Sequence, residues 1–284
     1  MSNKLLIERA TQRQKIFRQP SIQGLAKFSR LGLQILPLLI ILFVWELASG
    51  SWSDRFKFLE AAVLGKLSGI ASELIQLVAS GDILIHVWVT FQEALGGLAV
   101  AIAAGVSLGI ILSYSRQSAL LTLPYIQILN SIPRIALAPF FIVWFGIGLT
   151  SKVILAALTA FFPIFFTTYQ GLSSIEQELV DAFQVMGASR LQILRMVILP
   201  AVMTWVIAGI RTSLGMALVG AIVAEYVGST KGLGFLLMAA QGVLNVDRAW
   251  AVLVVLVVIG VFLDWSIRRL EAHILRWRTT AREL

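Results

Sequence analysis

The sequence predicts an all-α integral membrane protein with six transmembrane helices. Three observations lead there. Of its 284 residues, 58% are hydrophobic and only 13% are charged, against roughly 25% charged in a soluble domain. Mean hydropathy is +0.87, and several windows hold the roughly 20 mostly apolar residues that a span requires. The apolar runs are also continuous. Backbone groups in hydrocarbon must bond internally, so spans are helices or closed barrels, and barrel strands alternate at period two.

The spans follow in chain order. The first covers about Leu31–Ser49, with Glu46 as its only charge, behind a basic tail at 1–30. Its length and the lack of a small-residue cleavage site read as a retained helix, not a removed signal peptide. The transmembrane body takes in 31–270, and a second tail covers 271–284. Segment 50–84 lies outside the membrane. There Leu64, Leu67, Ile70, Ala71, Leu74, Leu77 and Val78 repeat at helical spacing, as in an interfacial helix. The second span is about Ala94–Ser113. The third, Leu120–Phe145, is interrupted by Pro124, Pro133 and Pro139. The fourth is about Val153–Tyr169, with Pro163 inside. The fifth is about Ala201–Ala224, entered at Pro200, and the sixth about Trp250–Ile267.

Basic residues concentrate on the cytoplasmic side of membrane proteins, and net charge here is +8. Placing both termini inside collects the tail cations, Arg116, Arg190, Arg195 and the cluster from Arg268 onward on that side. Arg55, Lys57, Lys66, Lys152, Lys231 and Arg248 fall outside. The orientation read is N-in/C-in. The basic tail serves orientation and lipid contact, not nucleic acid. Trp52, Trp88, Trp144, Tyr226, Trp250 and Trp265 read as interfacial anchors.

Small residues form ridges: Gly97, Ala101, Gly105 and Gly109 in the second span, and Gly209, Ser213, Ala217 and Ala221 in the fifth. Such ridges let helix backbones approach closely, within one subunit or across a seam between two. Glu225 continues the second ridge toward the outer surface, where a capping or interface role is read beside one in gating. The "GSTKGLG" run reads as a turn between spans or, more weakly, as an anion nest.

Catalytic chemistry finds no constellation. Cysteine is absent, which excludes a thiolate site or zinc ribbon. The two histidines, His86 and His273, fall on opposite sides of the membrane in this topology, no His/Asp/Glu cluster has metal-ligand spacing, and no nucleophile elbow or phosphate-binding Gly-x-x-x-x-Gly-Lys-Ser/Thr loop is present. The reading is a chain that is not an enzyme, with no cofactor, metal or ATPase site of its own.

The cytoplasmic segment 172–199 is the informative part. Ser173 with Glu176, and Ser174 with Gln177, fit capping boxes. Ile175, Leu179, Ala182, Phe183 and Met186 fall on one helical stripe. Gly187 suits a left-handed helix stop. Ser189 with Gln192 fits another box, and Pro200 suits the first turn of the next span. The pattern is helix, bend, helix between two spans, suited to a groove in a soluble partner or to the lipid surface.

Asp181-Ala182-Phe183, then Gly187, then Val197-x-Leu199-Pro200 resembles the "EAA" loop of ATP-binding-cassette importer permeases, with Asp181, Phe183 and Val197 replacing Glu, Ala and Ile at intact spacing. Ile132–Gly148 and Ala208–Leu237 are similar to the nitrate/sulfonate/taurine/bicarbonate branch of that family. Leu59-Glu60-Ala61-Ala62 departs from its usual Leu-Pro-x-Pro. The resemblance implies a type I importer permease fold in the bacterial inner membrane. It implies a second permease copy, two cytosolic ATPase subunits that bind ATP and Mg, and a periplasmic substrate-binding protein. It also implies that Leu179, Asp181, Ala182, Phe183, Met186, Gly187 and Ala188 form the ATPase-coupling loop. A stand-alone secondary transporter or channel is the alternative.

Arg134 and Arg211 fall inside spans, where a cation costs about 2.5–3.5 kcal/mol on insertion scales. With Asn130 and Glu225 they are the candidate translocation-pathway residues, and they suggest a small anion as substrate. The competing readings are snorkelling for Arg134 and, for Arg211, pairing with Glu46 or Asp264.

Overall fold

The computed structural model describes residues 36–37, 39–49 and 64–275. The basic tail, the start of the first predicted span, the Leu59–Ala62 departure and the end of the second tail lie outside the described residues. Contacts divide the chain into two compact units, Met1–Leu67 and Ser68–Leu284. In the first unit, α1 (Leu39–Ala48) ends beside residues 65–67. Trp45 Nε1 donates to the Gly65 carbonyl at 3.3 Å, and the Leu67 N–H donates to Glu46 Oε2 at 2.8 Å.

The rest is helical throughout the described residues. The elements are α2 (Leu67–Ala79), α3 (Asp82–Tyr114), α4 (Arg116–Asn130), a 3₁₀ turn (Arg134–Leu137), α5 (Ala138–Phe145), α6 (Leu149–Ser173), α7 (Gln177–Val185), α8 (Arg190–Val227), α9 (Leu233–Gly242) and α10 (Val246–Ile274). Helices α3, α6, α8 and α10 are long and apolar enough to cross a membrane, and α4 with α5 forms a pair bent by 79°. Among the described residues that gives four spans, or five if the bent pair is one, and the first of the six predicted spans lies partly outside them.

Helix ends differ from the predicted ones for local reasons. Helix α3 starts at Asp82, not near Ala94, so it takes in His86, Thr90 and Glu93. Pro124 sits inside α4 without breaking it. The third region breaks instead at Pro133, and Pro139 occupies the first turn of α5, where no N–H is needed. The boxes expected at Ser173 and Ser174 do not form. Helix α6 continues through Ser173, and α7 starts after Glu176 with no side-chain cap. Pro200 sits in the first turn of the fifth spanning segment, as expected, and the helix before it runs on into that turn. A π turn at Leu194–Ile198 carries it through. Proline cannot donate to the residue four back, and the widened turn absorbs the missing bond.

The core lies where α3, α6 and α8 meet, each along a row with four-residue spacing. The rows are Glu93, Gly97, Ala101, Gly105, Gly109; Lys152, Ala156, Ala160, Ile164, Thr168; and Gly209, Ser213, Ala217, Ala221, Glu225, and every member is buried. The ridges therefore pack within the subunit. The approach is too close for side chains at two points. A Cβ at Gly97 would lie 2.4 Å from Ala156 Cβ, and one at Gly220 would lie 2.8 Å from Ala156 Cα. Helix α6 is thus held on both sides at Ala156. Large apolar side chains of α4 and α10, such as Leu121, Tyr125, Val257 and Val261, point outward, as suits lipid-facing or partner-facing helices.

Candidate functional site

The segment between α6 and α8 is built as a jointed lever. Helix α7 buries none of its residues. Its closing turn is a Schellman motif. The Ala188 N–H donates to the Phe183 carbonyl at 3.0 Å, and the Gly187 N–H to the Gln184 carbonyl at 2.9 Å. Gly187 has φ +81°, the left-handed conformation that glycine adopts without a Cβ penalty. The next helix starts with the predicted box. Ser189 Oγ accepts from the Gln192 N–H at 3.3 Å, and the Ser189 N–H donates to Gln192 Oε1 at 2.7 Å.

Leu179, Asp181, Ala182, Met186 and Gly187 are exposed, while Phe183 and Ala188 are half-buried. Gln177 Nε2 donates to Asp181 Oδ1 at 3.0 Å. Met186 is 71% and Val185 89% exposed, so an apolar edge faces outward at the joint. Beyond Ser189 the chain runs as one 38-residue helix whose buried row packs on α6. The lever is continuous with the core.

Of the four candidate pathway residues, Asn130 and Arg134 meet, whereas Arg211 and Glu225 have other partners. Arg134 Nη2 donates to the Asn130 carbonyl at 3.0 Å and also contacts Asn130 Oδ1, and its guanidinium lies 4.8 Å from the Phe162 ring centroid. Arg211 is half-exposed and paired with Asp264 at 3.6 Å and Glu271 at 3.4 Å, both on α10. This is the pairing alternative, with Asp264 as one partner.

Glu225 is fully buried. It accepts from Thr90 Oγ1 at 2.6 Å and from the Gly234 N–H at 2.6 Å. The Leu233 N–H donates to Thr90 Oγ1 at 2.9 Å, and the Gly232 N–H to His86 Nδ1 at 3.0 Å. The "GSTKGLG" turn is thus nest-like, but the anion at Gly234 is the protein's own carboxylate.

Sequence reading missed the partners of this site. Lys152, taken as an outside loop charge, is buried in the first turn of α6. Its Nζ lies 3.1 Å from Glu93 Oε1 and 2.5 Å from Ser229 Oγ. Glu93, placed just before the second span, is buried inside α3. A signal was present. Glu93 lies four residues before Gly97, and Lys152 four before Ala156, so both extend the buried rows. The site lies where α6 begins and α8 ends, the opposite end of that helix pair from α7.

The described residues form a helical bundle with an exposed, jointed segment between two helices long enough to span a membrane, and comparison of the sequence supplies the family. The chain belongs to the family of binding-protein-dependent transport system inner membrane components, matched over residues 97–276. It is a multi-pass inner-membrane permease subunit of the ATP-binding-cassette importers.

A Bacillus subtilis (strain 168) permease provisionally named for aliphatic sulfonate transport, SsuC, is 32% identical, covering 85% of this chain and 86% of that protein. The Chloroflexus aurantiacus riboflavin transport system permease RibX is 32% identical over 92% of this chain and 96% of its own. The Escherichia coli (strain K12) taurine transport system permease TauC is 31% identical over 68% and 70%. A chain of the inward-facing MetNI methionine ABC transporter shares the fold, with TM-score 0.59 and 24% identity over 71% of this chain and 98% of that one.

Proposed function

We propose that the chain forms half of a translocation pathway for a small organic anion of the sulfonate or taurine class, paired with a second copy of itself. Six spans with both termini in the cytoplasm complete this reading. Two cytosolic ATPase subunits bind ATP and Mg and grip α7 through Leu179, Asp181, Ala182, Phe183, Met186, Gly187 and Ala188. A periplasmic binding protein delivers the substrate at the opposite face. The chain supplies no catalytic group or cofactor of its own.

The observation that carries this reading is the exposed α7 with its apolar edge, joined through the Gly187 turn to an unbroken helix in the core. A partner that holds α7 differently in two states can shift the bundle. One that holds it equally in both cannot. Relatives named for sulfonate and taurine transport support the anion, as does Arg134. The relative named for riboflavin marks the competing substrate class.

The test is uptake into proteoliposomes holding the permease, its ATPase and its binding protein. ATP-dependent, binding-protein-dependent accumulation of taurine or an alkanesulfonate is expected. Uptake without ATP, or a binding protein that takes only a neutral flavin, would overturn it.

A further inference from the structure

Three consecutive backbone N–H groups at the start of α9 are satisfied by side chains from other helices. Gly232 precedes α9 and has no side chain with which to cap it. The Gly232, Leu233 and Gly234 donors go instead to His86 and Thr90 on α3 and to Glu225 on α8, at 3.0, 2.9 and 2.6 Å. The fit is tight. A Cβ at Gly232, where φ is +110°, would lie 2.2 Å from the Glu225 carboxyl carbon, and one at Gly234 would lie 2.3 Å from the Ile222 carbonyl oxygen. The preceding turn is held from α6, because Lys152 Nζ reaches Ser229 Oγ while paired with Glu93. His86 stacks on Phe235 at 6.0 Å, and Tyr226 OH contacts Gln241 further along α9.

We propose that His86, Thr90 and Glu225, braced by the Glu93–Lys152 pair, are a latch that makes α9 a fixed part of the α3–α6–α8 body. Helix α9 then does not swing as a separate gate during the transport cycle. A swinging α9 would have to release three donors and leave Glu225, fully buried, without its partners, and a buried polar group left unpaired is costly. The unit that moves under the ATPases is the whole body, with α9 riding on it. The part concerning the cycle rests on the importer reading above. The latch itself rests on the geometry alone.

Two measurements test it on the full-length permease in nanodiscs. The first uses spin labels at Leu84 and Val243, both exposed, in the complex with its ATPases. Superimposable distance distributions without nucleotide and with trapped ATP are expected, and a distribution that shifts with nucleotide would overturn the proposal. The second needs no ATPase and reads amide exchange in Thr90→Val, Glu225→Gln and Glu225→Ala. Protection of the first turn of α9 should fall by about tenfold or more in Thr90→Val and Glu225→Ala. It should fall less in Glu225→Gln, with α6 unchanged. Unchanged α9 protection, or an equal loss in α6, would contradict it. An ATPase that fails to assemble defeats the importer reading and leaves the second measurement to judge the latch.

Discussion

Glu93 and Lys152 meet at 3.1 Å, with side chains 1% and 7% exposed, at the point where the buried rows of α3 and α6 run out. Neither charge has water to fall back on. Breaking a buried pair by removing one partner costs about 3–5 kcal/mol. Lys152→Met should therefore lower the detergent melting temperature sharply. Lys152→Met with Glu93→Leu should recover part of the loss, because the Glu93 carboxylate is no longer buried without its cation. Additive losses would show that the two residues are not coupled.

The joint at Gly187 is conformational rather than steric. Nothing lies within 4 Å of a Cβ placed there, so a substitution meets no neighbour. The left-handed backbone still penalises a side chain by roughly 1–2 kcal/mol. Gly187→Val should uncouple ATPase stimulation from transport while leaving insertion and folded yield intact. Gly187→Asn, better tolerated in that conformation, should retain more activity. Coupled ATPase rates and vesicle uptake measured together check this.

The helix contact at Ala156 behaves in the opposite way. Gly97→Ala puts a methyl 2.4 Å from Ala156 Cβ and 2.8 Å from the Ala157 nitrogen, so backbone must move. Overpacking typically costs about 1–3 kcal/mol. Folded yield and thermal stability should fall. Gly215→Ala, with open space around the new methyl, should be neutral or slightly stabilising, since alanine is the better helix former.

Arg211 pairs with two carboxylates of α10 at half-exposed positions. Such pairs contribute about 0–1 kcal/mol. Arg211→Ala should leave the apparent KM for the transported anion unchanged and lower stability only slightly. A large rise in KM with unchanged stability would place Arg211 on the anion's path instead.

Much of this was legible in the sequence because the membrane enforces it. Long apolar runs have to be helices. Gly187 and the Ser189–Gln192 pair mark a stop and a start by local chemistry alone. Helix length was less legible, because a hydropathy window stops at a charge. Glu93 and Lys152 were therefore read as ends, although their pairing lets both helices continue past them. The capping role of Glu225 follows from distant chain, since its donors come from Thr90 and from the turn after α8. The Ser173 and Ser174 boxes failed because α6 runs on through Ser173, while Pro200 does sit in the first turn of its span, with a π turn carrying the preceding helix into it. Each ridge did point at its charge, four residues beyond its last small residue.

A handle held by the ATPase has to touch it, and α7 is the proposed handle. Cysteine cross-linking from Leu179 or Met186 to the ATPase subunit, in the assembled complex in native membranes, tests it most directly. A specific cross-link is expected at both positions, with a yield that changes when ATP is trapped, and none from Val261 on the outward face of α10. Transport-competent complexes in which neither α7 position cross-links, or in which α7 reacts only with lipid-borne probes, would contradict it.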